Sequence, residues 1–586
     1  MIRPRKTPGA LCVLAAGFLG VACVGTVGGD SAPGAGGKET GGDGKPSGTG
    51  GPEPGNRPPT GNEQPPINPG EITPENSAGP AIFRRLTIAE YNNTIKDLLG
   101  VEANRVKFAV DSATPVGYLA GAAITNSVDA QAVLDSSQQL AAAVGEKMAA
   151  LLPNNCLAPT AAAEQKSCAE QFIGEFGLRA FRRPVTDEEK TDLVALYDAL
   201  SAAGVGSSYQ EAILGLVSGM LQSPNFLYRW EVTPAAASDL AQLDSFAIAS
   251  RLSYLLWATM PDEALFDAAK AEGLKTPAQI ADQTRRMLAD AKFVQGLTQF
   301  HYQWLGIDGL EQLPKDESYT NYSAETAKSM LDETIRFAQS ILAEAGGSGK
   351  LEDLFTSNQS FIDERLAKVY GMAGGGQTLA AAQLDPSQRA GILTQGSFLS
   401  AHADPDLTNP VKRGVVILKN VLCQEVPSPD GLDIPVLPER QPGQTTREHF
   451  ARHSSDAFCG GCHQSIDALG FAFEHYDAIG AYREMEENKP VDASGTLRLD
   501  SGEFSFDNAV EMVNGLVKTP ELQACMARQW MRYLFRRDTL KAEAGSVNAA
   551  LEAMTRSQND LREMLVALTQ TRAFTHRKPL EGEGMQ

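Results

Sequence analysis

Near residue 80 the chain changes character, and that change decides which part of it can fold. From residue 24 to about residue 80, Gly, Pro, Ser and Glu dominate and apolar residues follow no period. Such a stretch cannot bury enough apolar surface to offset the entropy of ordering it, so it reads as a flexible tether. Beyond it, apolar residues recur at helical spacing almost to residue 575. Over the 586 residues the hydrophobic share is 42% and the charged share 21%, ordinary for a globular chain. The length accommodates about three to five modules. A net charge of −21 argues against a nucleic-acid partner, which requires basic patches, and against an anionic membrane surface.

Ahead of the tether, Arg3, Arg5 and Lys6 precede a short apolar run at 11–22 that ends in small residues. This is the pattern of an export leader, and it is shorter than the roughly 20 residues of a membrane span. Cys23 follows Gly20, Val21 and Ala22 and resembles the lipidated cysteine of a bacterial lipobox, although Gly20 stands where Leu is usual. Plain cleavage of the leader is the alternative. The expectation is an exported protein, periplasmic or a lipoprotein of the outer membrane or cell surface. Its membrane contact would be limited to that anchor, since no later run of some 20 apolar residues follows.

The folded part divides into helical segments at 81–150, 151–220, 221–372, 385–488 and 489–575. Thr87 with Glu90 forms a capping box, Leu86 with Tyr91 a hydrophobic staple, and Gly100 a stop. Pro184 breaks one helix, and Thr186 with Glu189 caps the next. Residues 240–372 read as nearly all helical, Phe361 to Asp363 included. Trp257 and Trp304 are expected in the core. Two further helices occupy 388–425, joined through 401–410. Residues 426–447 are Pro-rich and extended, and 490–506 alternate like a strand. The expected fold class is therefore mostly α, with a minor β segment near 490–506. Asp262, Glu263 and Glu474 have no evident partner and are expected to cap helices or face solvent.

Of eight cysteines, Cys12 leaves with the leader and Cys23 is the candidate lipid site. Cys156 with Cys168, and Cys423 with Cys525, are candidate disulfides suited to an oxidising compartment. The last two stand in Cys459-Gly460-Gly461-Cys462-His463. Thiols so spaced in a turn reach both vinyl groups of one haem, and the adjacent imidazole lies beneath the iron. One covalent haem c is the expected cofactor, bound by Cys459, Cys462 and His463. A zinc site with His453 and His475, or a simple disulfide, are the alternatives. For the sixth iron position His402 is the first candidate, followed by His453, Met485 and Met526. No P-loop, dinucleotide fingerprint, nucleophile elbow or His-Glu-x-x-His occurs, so the sequence assigns no hydrolase or dehydrogenase chemistry.

Several stretches carry a family resemblance: RLTIAEYNNTIKDLLG (85–100), FGLRAFRRP (176–184), ASRLSYLLW (249–257) with MPD (260–262) and RMLAD (286–290), and TNPVKRG (408–414). The CGGCH motif followed by Ile466, Asp467 and GFAFE (470–474), and the closing stretch 522–537, complete the set. The chain resembles exported multi-module proteins of planctomycetes and of related, myxobacteria-like bacteria. These carry a planctomycete cytochrome c-type domain together with planctomycete-specific domains of unknown function. The resemblance implies that 385–488 is the cytochrome c-like module and that His402 and His453 stand at motif positions. Ala468 departs from the family, which has Pro there.

The sequence thus points to an exported c-type haem protein in electron transfer, its redox partner unspecified. The alternatives are a haem-assisted oxidoreductase acting on an extracellular polymer, and a non-catalytic surface scaffold or carbohydrate-binding protein with a structural metal at the motif.

Overall fold

Short-range capping sets many of the helices. The Thr87 side chain accepts from the Glu90 amide at 3.2 Å and the Glu90 carboxylate accepts from the Thr87 amide at 3.0 Å, opening the Ile88–Leu99 helix. Gly100, at φ 67°, closes it in the left-handed conformation. Thr186 and Glu189 repeat the box for Asp187–Ser201. The computed structural model describes residues 76–80, 82–103, 110–124, 126–202, 208–231, 240–426, 439–454 and 457–579, with the backbone alone at 146, 451–454 and 457–462. The stretches read above as an export leader with Cys23 and as a tether, up to residue 75, and the 427–438 part of the Pro-rich stretch lie outside the described residues.

The protein is mostly α-helical, and its strands form only two-stranded pairs among the described residues. None of its described helices is long and apolar enough to cross a membrane. Two hydrophobic cores organise it. The first packs Ile88–Leu99, Ser127–Val144, Ala162–Phe181 and Tyr209–Gln222 around Tyr91, Leu98, Phe172, Phe176 and Leu216. Cys156 and Cys168 are disulfide-bonded at its edge. The second core takes side chains from the 221–372, 385–488 and 489–575 segments alike, so these three share one interior. Trp257 and Trp304 are buried there, donating their indole N–H groups to the carbonyls of Met287 and Asn420. Cys423 and Cys525, 102 residues apart, are disulfide-bonded across this core.

Small strand pairs tie distant segments together. Phe83–Arg85 pairs antiparallel with Tyr228–Trp230, and Ala241–Gln242 with His576–Arg577. Ser77 donates its amide to the Ala542 carbonyl at 2.7 Å, and Lys578 to that of Gly79 at 2.8 Å.

The structure departs from the sequence reading in two strand regions. Residues 359–362 are a strand paired with Ala380–Gln383, not helix, and Asp363 caps the short Glu364–Val369 helix that follows. The alternating stretch is a hairpin, Gly495–Leu499 with Gly502–Phe506, not one strand. Asp500 and Ser501 make its two-residue turn, and Gly502 (φ 147°) adopts a conformation that favours glycine.

One buried acid makes stability depend on pH. Glu333 is fully enclosed, accepting from Ser360 Oγ at 2.6 Å and Tyr370 Oη at 2.5 Å. Burial pushes its carboxyl up from the ordinary 4.5 to about 7. The folded protein therefore holds this proton more tightly than the unfolded chain does. The stabilisation is present below pH about 4.5 and is lost as pH rises through about 7. The loss is on the order of 3 kcal/mol. Glu333→Gln is expected to flatten this slope in denaturant titrations run at both ends of the window. An unchanged slope would show that Glu333 does not cause it.

Candidate cofactor-attachment site

The CGGCH motif lies inside a helix, Ala457–Phe471, and not in the turn expected from sequence. At helical spacing, positions 459, 462 and 463 fall on one face. Two adjacent glycines inside a helix each cost about 1 kcal/mol relative to Ala, so tertiary packing must hold this one. That packing is close. A Cβ on Gly470 would lie 1.9 Å from the Pro410 carbonyl oxygen, and one on Gly414 2.0 Å from that of Ile466. The Pro410–Val416 helix thus touches the motif helix backbone to backbone. Ala468 lets the helix run on to Phe471, where a proline would remove an internal hydrogen bond.

His463 Nδ1 donates to Asp467 Oδ1 at 2.9 Å, one turn further along the same helix. This turns Nε2 into the nitrogen through which a metal would be bound. His402 is held elsewhere. Its Nε2 is 2.7 Å from the Leu305 carbonyl, its ring meets Phe398 edge-on, and burial lowers it to about 4. Ligation through Nε2 would have to break that bond. His475 Nδ1 donates to the Arg483 carbonyl at 3.0 Å while its ring stacks on Tyr482. His453 belongs to the Thr446–Ser454 helix; its side chain, like those of Cys459 and Cys462, lies outside the described residues. Met485 is 51% exposed, whereas Met526 is buried in the Pro520–Phe535 helix.

The expectation that Glu474 caps a helix or faces solvent is overturned: it is 1% exposed. Its Oε2 accepts from Thr408 Oγ1 at 2.8 Å and Arg483 Nη2 at 3.1 Å, and Arg413 lies 4.0 Å from Oε1. Burial raises its carboxyl. Asp262 does cap Glu263–Lys270, but it also has a partner, a two-pronged pair with Arg286. Arg413, wholly buried and lowered to about 10 by burial, donates to the carbonyls of Leu399, Phe473 and Asp477. It thereby stitches the turn after the motif helix to the helix preceding His402. Lys315, lowered to about 8 by burial, donates to the carbonyls of Ser400 and Asp404 and fixes the other side of the His402 loop. Sequence reasoning placed Arg413 and Asp467 in family motifs without assigning them a role, and missed Arg483 and Lys315. The available signal was a lone acid, Glu474, within the apolar run 471–476, which demands a buried partner.

The donor set suits a haem held by two thioethers. Two thiol positions and an imidazole share a helical face, and the imidazole's second nitrogen is oriented by a carboxylate. Among the described residues, no group of three His, Cys, Asp or Glu side chains is placed to hold a metal ion.

Five family models match in succession, each described as a protein of unknown function: DUF1587 over residues 84–144, DUF1595 over 168–231, DUF1592 over 243–372, DUF1588 over 389–486 and DUF1585 over 502–574. The chain belongs to the family of multi-module proteins built from this planctomycete-specific domain set. The motif helix, the His402 loop and Glu474 all fall within the DUF1588 match. Neither the curated proteins nor the solved structures contain a match.

Proposed function

We propose that this protein is an exported c-type haem protein that passes single electrons to and from a partner outside the cytoplasm, tethered by a lipid on Cys23. Cys459 and Cys462 hold the haem through thioethers, and His463 binds its iron. When bound, the group supplies reversible one-electron chemistry. The protein's own residues do the rest. Asp467 orients the His463 ring, the Gly414 and Gly470 contacts fix the helix that carries all three attachment residues, and Glu474 with Arg413 and Arg483 locks the turn behind it. The reading is carried by the placement of 459, 462 and 463 on one face of one helix, with His463 Nδ1 already engaged by a carboxylate.

The test is expression with the native leader in a host that has a cytochrome c assembly apparatus. The purified protein is expected to be red and heavier than its polypeptide and any lipid by one haem. A Cys459→Ala/Cys462→Ala variant is expected to lose the covalent pigment. A colourless wild-type protein of polypeptide-plus-lipid mass would refute the reading, and stoichiometric zinc in its place would establish the structural-metal alternative.

A further inference from the structure

The partner of His463 bears on what kind of redox centre this would be. An i,i+4 pair on an open helix surface is worth only about 0.3–0.5 kcal/mol and says little about function. This pair is sheltered instead, with side-chain exposures of 16% for His463 and 9% for Asp467. Its geometry is set by the helix, since the two residues are one turn apart and the helix continues past them to Phe471. Ile466, just before Asp467, lies against Gly414 at backbone contact, so the turn bearing the carboxylate is itself clamped.

A ring N–H that donates to a carboxylate shares its proton more fully than one that donates to a neutral carbonyl. Electron density moves toward the opposite nitrogen, which becomes a stronger donor to any metal it binds. A stronger donor stabilises the ferric over the ferrous state. We infer that Asp467 is a positioning residue that sets the donor strength of His463 and makes the centre a low-potential one, suited to giving electrons up. The inference rests on the haem reading above. The Asp467 contact is the part that the CGGCH motif does not contain.

The experiment compares wild type, Asp467→Asn and Asp467→Glu, each matured with haem and checked for equal haem content. Asp467→Asn keeps shape and a hydrogen-bond acceptor but removes the charge. It is expected to shift the ferric–ferrous equilibrium toward ferrous by about tenfold, a rise in potential of about 59 mV for one electron. The iron–imidazole stretch is expected to weaken in the same variant. Asp467→Glu, which keeps a carboxylate within reach one turn away, is expected to restore much of the wild-type potential. A purely structural pair would change the unfolding midpoint and leave potential and stretch alone; that result, with haem retained, would overturn the inference. If the wild type binds no haem, it is the function proposed above that fails, so the two failures are distinguishable.

Discussion

Replacing Glu90 with Gln is expected to cost about 3–5 kcal/mol of folding stability, the scale for stranding buried charges without their partner. Glu90 is 1% exposed and faces three buried guanidiniums. Arg84 grips it with two bonds at 2.6 and 2.7 Å, while Arg536 and Arg229 stand 3.7 and 3.9 Å away. Burial opposes its ionisation, but the three arginines together hold its carboxyl well below the usual range. The arginines come from three different family matches, so a single carboxylate is the shared counter-charge where three modules meet. Gln can still accept from the Thr87 amide and complete the capping box, so the substitution isolates the charge. Because this pKa is depressed, its stabilising contribution is present above about pH 4.5 and is lost as pH falls toward the folded value. Arg229 is lowered to about 9 by burial and by the neighbouring Arg84, so it is the weakest member of the group. Adding Arg229→Met to Glu90→Gln is expected to recover part of the loss by removing one unneutralised cation. Denaturant unfolding of the two single variants and the double variant gives the coupling. A loss below about 1 kcal/mol for Glu90→Gln would show that the carboxylate is not the keystone.

The second large effect is expected from Gly470→Ala. Ala favours a helix interior over Gly by about 1 kcal/mol, which argues for stabilisation. Against it stands a Cβ placed 1.9 Å from the Pro410 carbonyl oxygen and 2.5 Å from its carbon. Both are backbone atoms of the opposing helix, which a rotamer change cannot clear. Overpacking of this kind costs about 3 kcal/mol, so the steric effect wins and the helices must part. Parting them pulls Arg413 from the Phe473 carbonyl and displaces the CGGCH helix, so covalent pigment is expected to fall along with stability. Gly174→Ala is the matched control: it lies within the Ala162–Phe181 helix with nothing near its Cβ position, and it is expected to gain up to about 1 kcal/mol. Equal stability of the Gly470 and Gly174 variants would mean that the helix crossing is looser than described.

What could be read from the sequence was local. The Thr87–Glu90 and Thr186–Glu189 boxes depend on residues three apart, so the letters suffice. The burial of Trp257 and Trp304 follows from their place in apolar stretches. What could not be read depends on chain meeting chain. Glu474 finds Thr408 66 residues away, and no periodicity announces that contact. Strand 359–362 exists because Ala380–Gln383 returns beside it. The hairpin at 495–506 was within reach, because Asp500, Ser501 and Gly502 are turn residues inside the alternating run. The motif's helical setting was harder to see, since Gly460 and Gly461 argue against helix and tertiary packing, the crossing with Pro410–Val416 included, overrides them.

The joining of Gly79 to Lys578 and of Ala241–Gln242 to His576–Arg577 bears on how such a polypeptide is made. A growing chain presents residue 79 long before residue 578 exists, so the segment leading into the first helix must wait, unzipped, through almost the whole of translation. Removing residues 576–586 should therefore loosen sequence some 500 positions upstream, and a protease would gain new cuts at residues 77–86, far from the truncation and beyond any it makes in the 24–75 stretch of the wild type.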